Sequence, residues 1–200
     1  MSTASDISTA ETTESRIWGA AAKLFYDKGY HATTMRDIAS EVGIKAGSLY
    51  NHFPGKQDIL LRISLQTTRE LHEGAVARLD GITDIEEAIR AFLQWHVEFH
   101  AKNKLASRVA DGQLPALSEE NRLAVLEMRD AHEQLFRDLL RRGAAELGWT
   151  VADERVISFG ILTMCTEVDA WFRDDGPLTA EAIGDMYADF VLRGLRGDSS

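Results

Sequence analysis

The chain has 200 residues, of which 44% are hydrophobic and 27% charged, and its formal net charge is −10. That composition is ordinary for a folded globular protein and excludes collagen, a disulfide scaffold and a mostly disordered chain. The single cysteine, Cys165, permits neither an intramolecular bridge nor a paired-cysteine zinc site, which fits a reducing compartment.

Residues 1–13 are rich in Ser, Thr and Ala and read as a disordered tail. They lack the basic and apolar regions of a signal peptide. No apolar run nears the ~18 to 20 residues of a membrane span, so a cytoplasmic protein without a membrane partner is expected. A first helix is predicted from about Thr13 to Lys28, with Ile17, Ala20, Ala21, Leu24 and Phe25 at helical spacing and Gly29 as its stop. Thr34 and Asp37 have capping-box spacing for a short second helix with Met35, Ile38, Ala39 and Val42 on its apolar face, ended by Gly43. After a tight turn at Ile44, a third helix covers about Ala46 to His52, and Pro54 forbids its continuation. A long fourth helix runs from about Lys56 to Leu79, and Thr83 is read as the cap of a fifth that reaches about Lys102. Further helices are predicted at roughly 104–111, 119–147, 153–173 and 180–195, with Ser118, Thr150 or Asp153, and Thr179 as caps. No segment alternates as a strand would, so the expected fold is all-α, with about nine helices.

The charge is unevenly placed. Ser15 to Lys56 holds six basic and three acidic residues, a balance of +3 that leaves −13 for the rest. Such asymmetry points to one face built for a polyanion. Within it, TTMRDIASEVGIKAGSLYNHFPGKQDIL (residues 33–60) reads as helix, glycine turn and second helix. In a helix-turn-helix the second helix enters the major groove. Leu49 and Phe53, four apart, face the core, whereas Lys45, Ala46, Gly47, Ser48, Tyr50, Asn51 and His52 are small, polar or basic. Gly47 costs about 1 kcal/mol in a helix but lets the backbone approach DNA closely.

These residues resemble the TetR family of bacterial transcriptional regulators. TTMRDIA, the turn VGI, GSLYNHF and the following Lys56 agree with the family pattern in order and without gaps. The resemblance implies that Thr34, Tyr50, His52 and Lys56 contact phosphates. It places Lys45, Ala46, Ser48 and Asn51 nearest the base edges. Lys45 departs from the pattern, since Ser or Thr often stands there, and it leaves the recognition helix without a side-chain cap. The division implied is a helix-turn-helix domain over 14–55 and a ligand-binding and dimerisation domain over 56–197. The run WFRDDGPLTAEAIGDMYADFVLRGL (residues 171–195) resembles TetR-type repressors of lipid, fatty-acid and steroid catabolism. Several of those respond to acyl-CoA thioesters.

On that basis the expected function is a homodimeric, ligand-responsive repressor. A small apolar effector, an acyl-CoA thioester among the candidates, would release it from a palindromic operator in double-stranded DNA. The alternative is a helical ligand-binding or assembly protein without regulatory DNA binding. No nucleophile elbow, P-loop or dinucleotide fingerprint argues for an enzyme, and no cofactor is implied. Candidate effector contacts are Trp95, His96, Phe99, His100, Met128, His132 and Trp171. The four-residue spacing of His96 and His100 could hold a metal, but no second ligand cluster accompanies it, and lining a pocket or core is favoured. Arg108, Arg122, Arg129, Arg137, Arg141 and Arg142 are candidates for the phosphates of CoA. The predicted eighth helix is apolar nearly all round, so one side should meet a second subunit. A wholly intrachain burial is the alternative. The proposed interface comprises Ile161, Met164, Val168, Phe172, Ile183, Tyr187 and Phe190, with Cys165 as a buried small hydrophobe.

Overall fold

The structure, a computed structural model, describes residues 12–196, and all regular elements among them are helical. The predicted tail lies outside the described residues except for Thr12 and Thr13. Those two begin a helix, with Thr12 Oγ1 accepting the Ser15 N–H at 3.0 Å.

The elements are α1 (Thr13–Lys28), α2 (Met35–Val42), α3 (Ala46–His52), α4 (Lys56–Leu79), α5 (Ile85–Lys102) and α6 (Lys104–Gly112). A 3-10 turn (Leu114–Ala116) follows, then α7 (Glu119–Leu147), α8 (Glu154–Thr166), α9 (Val168–Trp171) and α10 (Ala180–Arg196). Local chemistry explains the ends. Thr34 and Asp37 form a reciprocal capping box at α2, and Gly43 closes that helix in the left-handed region at φ 76°. Ser118, Asp153 and Thr179 each accept backbone N–H groups at the starts of α7, α8 and α10. Two sequence expectations shift. Asp84, not Thr83, caps α5, because its carboxylate reaches the Glu87 N–H at 2.8 Å. The helix expected over 153–173 breaks at Glu167, leaving the short α9 packed on α5 and α6.

Two hydrophobic cores result. One is built by α1, α2 and α3 with Ile59, Leu60 and Ile63 of α4, closed by Val109, Leu117 and Val125. The other joins α5, α7, α8, α9 and α10 around Phe92, Phe136, Leu140 and Cys165, with Ala75 from the far half of α4. The 24-residue α4, about 36 Å long, is therefore common to both. Its middle is polar: Ser64, Thr67 and Thr68 are buried between the two apolar stretches. Helix α6 also bridges the cores, packing on α1 and α4 at one side and on α9 at the other.

Candidate functional site

The second and third helices form a compact pair. Ile44 N–H donates to Ala39 O at 2.9 Å across the glycine turn, and Leu49 and Phe53 are buried in the first core. Burying those two side chains turns the rest of α3 outward. Lys45, Gly47, Ser48, Tyr50 and Asn51 are exposed, Tyr50 by 53%, while Ala46 and His52 are half-buried. Lys45 precedes the helix without a side-chain cap, and among the described residues it joins no ion pair, so its ammonium is unspent. Thr34 is exposed beside this face. Lys56 differs from the others. Its Nζ donates to the carbonyls of Tyr30 (2.6 Å), Thr33 (2.8 Å) and His31 (3.4 Å) and lies over the Tyr30 ring, and burial pushes its pKa down. Lys56 thus ties the start of α4 to the α1–α2 connection.

A cavity of about 300 Å³ lies between the two cores. The middle of α4 supplies Thr67, Thr68 and Leu71; α5 supplies His96, Phe99 and His100. Ser107, Ala110 and Asp111 come from α6, and Arg129, His132 and Glu133 from α7. Phe159, Leu162, Thr163 and Thr166 close the α8 side, with Glu167 beyond them. Four of the seven candidate effector contacts, His96, Phe99, His100 and His132, therefore converge here. Three do not. Trp95 packs its ring against Gly74 and donates Nε1–H to Leu71 O at 2.8 Å; Met128 faces a separate groove with Arg69, His72 and Glu73; Trp171 is half-exposed at the end of α9. Trp95 turns away because Gly74 alone leaves room for an indole against α4.

The histidines form a chain across the bundle. Thr166 Oγ1 lies 3.0 Å from His96 Nε2, and His96 Nδ1 lies 3.2 Å from His132 Nε2. His72 of α4 stands edge-on to His132, with ring centres 6.2 Å apart. Burial keeps His96, His100 and His132 neutral. It drives the His96 pKa well down, assisted by His100 and His132. It takes His100 to about 4, with help from Arg129, and His132 to about 3, with help from His72 and His100. The charges at the wall are paired: Arg129 with Asp111 at 2.7 Å, Glu133 with Arg137 at 3.1 Å, and Glu167 with Arg108 at 3.9 Å. Arg108 also holds the buried Asp169 at 2.9 Å, whose pKa is raised to about 6 by burial. Arg141 and Arg142 are likewise engaged, with Glu154 and Glu146. Five of the six arginines considered for CoA phosphates are therefore occupied, leaving Arg122. Among the described residues, no group of three or more His, Cys, Asp or Glu is arranged to hold a metal.

An apolar face remains uncovered on α8 and α10. Val156 (67%), Phe159 (68%), Met186 (53%) and Phe190 (69%) are exposed, and Gly160 and Gly194 line a groove between the helices. The predicted interface needs correction here. Val168 and Ile183 are buried in this chain's own core, because the break at Glu167 turns α9 inward and α10 packs Ile183 on α5. Ile161, Met164, Phe172 and Tyr187 are partly buried against the same core, and Phe190 stands fully outside it. Cys165 is wholly buried, its thiol pushed up to about 12, and has no nucleophilic character.

Sequence reasoning overlooked His72, the polar floor of α4, Ser107 and Phe159. One signal was present: Ser64, Thr67, Thr68 and Leu71 fall on one helix face, so the inward stripe of α4 is interrupted by hydroxyls.

The family profile described as "Bacterial regulatory proteins, tetR family" matches residues 17–63, and "Tetracyclin repressor-like, C-terminal domain" matches 83–195. The transcriptional repressor KstR2 of Mycobacterium tuberculosis is 29% identical over 182 residues, 88% of each chain. A TetR-family regulator, PfmR of Thermus thermophilus, is 37% identical and superposes with a TM-score of 0.82 over 90% of this chain and 98% of that one. AibR in complex with isovaleryl coenzyme A and operator DNA shares the fold, with a TM-score of 0.79 at 22% identity over 90% and 97% of the two chains. No helix among the described residues is long and apolar enough to cross a membrane. With both profiles matched in order and together spanning most of its length, the chain belongs to the TetR family and is a ligand-responsive transcriptional regulator rather than an enzyme.

Proposed function

We propose that this regulator is a homodimeric repressor whose two α3 helices read the half-sites of a palindromic operator. The observation that carries this reading is the outward face of α3, backed by the two buried anchors Leu49 and Phe53. Lys45, Ala46, Ser48 and Asn51 would meet base edges, Gly47 would allow close approach, and Thr34, Tyr50 and His52 would hold phosphates. Lys56 would act at the backbone chiefly by fixing the start of α4, whose N-terminal N–H groups then favour a phosphate. The division into a DNA-binding part over 14–55 and an effector and dimerisation part over 56–197 is retained as a working frame. Residues of α4 and α7 nevertheless belong to both cores. Operator DNA puts the site of action in the cytoplasm.

The effector would occupy the cavity between the cores. A molecule seated on Thr67, Thr68 and Ser107 presses on α4 and α6, the two helices that also support α1–α3. Differential affinity for two arrangements of those helices is what release requires. An acyl-CoA thioester is supported by the likeness to AibR, whose solved complex holds isovaleryl coenzyme A. The cavity is at the small end of the ~300–1,000 Å³ range of ligand pockets. The acyl part would therefore lie inside and the nucleotide outside, toward solvent.

The test is release of operator DNA by a panel of acyl-CoAs, their free acids and neutral apolar compounds. Release by thioesters alone supports the acyl-CoA reading; release by neutral compounds alone discards it and keeps the repressor. Retention on DNA that survives no salt titration, for operator and scrambled sequence alike, would favour a helical binding protein without regulation.

A further inference from the structure

Three side chains lining the cavity are built in an unusual way. Ser107, His100 and His132 are 1%, 5% and 5% exposed, and each carries a buried polar atom without a hydrogen-bond partner: Ser107 Oγ, His100 Nδ1 and His132 Nδ1. They come from α6, α5 and α7, and all three residues line the cavity, their orphaned atoms lying just beneath its surface. An orphaned buried group costs about 1–3 kcal/mol, and native structures tolerate few of them. Satisfying such groups is a natural source of affinity for a ligand. Phe99, Leu71 and Leu162 add apolar surface to the same lining.

The charge along this lining narrows the ligand further. Every charged residue lining the cavity already holds an opposite charge of its own chain, and Arg129, the only cation among the lining residues, is matched by Asp111 at 2.7 Å. The imidazoles are neutral at physiological pH, as burial requires. An incoming carboxylate would lose its water and find no spare positive charge, which costs several kcal/mol. A hydroxyl or carbonyl oxygen loses much less on entry and can bond to a serine hydroxyl or a neutral imidazole.

From this juxtaposition we infer that the cavity selects an effector with an apolar body and an uncharged oxygen group, read by Ser107, His100 and His132, and rejects the corresponding carboxylate. The inference rests on the cavity being the effector site. It gives the thioester preference a cause within the chain: a thioester presents a neutral carbonyl where its free acid presents an anion.

The experiment uses the full chain and three probes of one skeleton, naphthalene, 2-naphthol and 2-naphthoate, titrated calorimetrically at pH 7.5. 2-Naphthol is expected to bind more tightly than naphthalene, and 2-naphthoate at least tenfold more weakly than 2-naphthol. Ser107→Ala and His100→Phe should bring 2-naphthol to the level of naphthalene without changing naphthalene binding, with thermal melting to check that both variants fold. Asp111→Asn frees Arg129 and should raise 2-naphthoate affinity at least tenfold while leaving 2-naphthol unchanged. Equal or tighter binding of 2-naphthoate by the wild type, or no gain for it in Asp111→Asn, overturns the inference while leaving the cavity as the effector site. Absence of binding by all three probes, or binding unaffected by filling the cavity with Leu162→Trp, removes the cavity itself and the inference with it.

Discussion

Gly47 and Gly143 are both helical glycines, yet they have opposite reasons to be glycine. A Cβ on Gly47 would meet nothing within 4 Å, so packing does not require its absence. Gly47→Ala should therefore stabilise the protein by up to about 1 kcal/mol through helix propensity. If close backbone approach to DNA is its purpose, the same change should weaken operator binding. Unchanged operator affinity in the stabilised variant would remove that purpose. A Cβ on Gly143 would lie 1.9 Å from Cε3 of Trp149, a buried ring with nowhere to go. Gly143→Ala should cost about 1–3 kcal/mol in urea denaturation despite the better helix former. Lys56 and Tyr50 separate in the same way. Both alanine variants should weaken binding to all DNA sequences, but only Lys56→Ala should also lower stability, by about 1–3 kcal/mol, because three carbonyls lose their donor. Lys45→Ala should instead relax base preference, read as a smaller ratio of operator to scrambled affinity.

At the scale of helices, the uncovered face of α8 and α10 is the feature with the largest consequence. Phe190→Glu places a charge where the side chain is 69% exposed in the single chain, so folding should be retained and dimerisation lost. Light scattering at micromolar concentration should give the mass of one chain. A charge at Val168 tests something else. That residue is fully buried beneath α5 and α6, and Val168→Glu should unfold the protein rather than split it. A folded monomer from Val168→Glu would contradict the inward turn of α9. Phe159 stands both on this exposed face and on the cavity wall, so in the proposed dimer effector occupancy and subunit packing would meet at one side chain of α8.

For the whole molecule, the buried histidines set the response to acid. The folded-state pKa values of His96, His100 and His132 all lie below the unfolded value of 6.5. The unfolded chain therefore binds more protons below about pH 6.5, and stability falls as pH falls from there toward 4. Each histidine contributes a slope of up to about 1.4 kcal/mol per pH unit. Asp169 opposes this. Its pKa is raised to about 6 from 3.8, so its contribution to stability is present below 3.8 and lost as pH rises through 6. Burial raises the Asp111 pKa in the same sense; three histidines outweigh two aspartates, and urea midpoints should drop between pH 6.5 and 4. His132→Phe should flatten that fall; an unchanged slope would show that His132 is not held neutral. DNA binding should respond to salt at this same scale, with log K falling linearly against log salt as phosphate counterions are released.

Most helices, most caps and the outward face of α3 were legible in the sequence because each depends on residues within a few positions of one another. Thr34 with Asp37, Gly43, Pro54 and the Leu49–Phe53 spacing act locally, and local sterics and hydrogen bonding decide them. The cavity was legible only in part. His96, Phe99, His100 and His132 face it, but Trp95 shares a stripe with Phe99 and still turns away, because Gly74 on α4 admits its ring. No pattern within α5 carries that information. The interface was misjudged at Val168 and Ile183 for a similar reason. Apolar periodicity records that a side chain avoids water, not whether its own chain or a second copy covers it. Ion pairing is equally silent in sequence: Arg129 meets Asp111 and Arg108 meets Asp169 only after α6, α7 and α9 are packed together. The sequence by itself determined the helices and the DNA-reading element, where the forces are short-ranged along the chain. Tertiary packing alone decided which side chains line the cavity and which apolar face stays open, since both depend on which distant helices come to lie side by side.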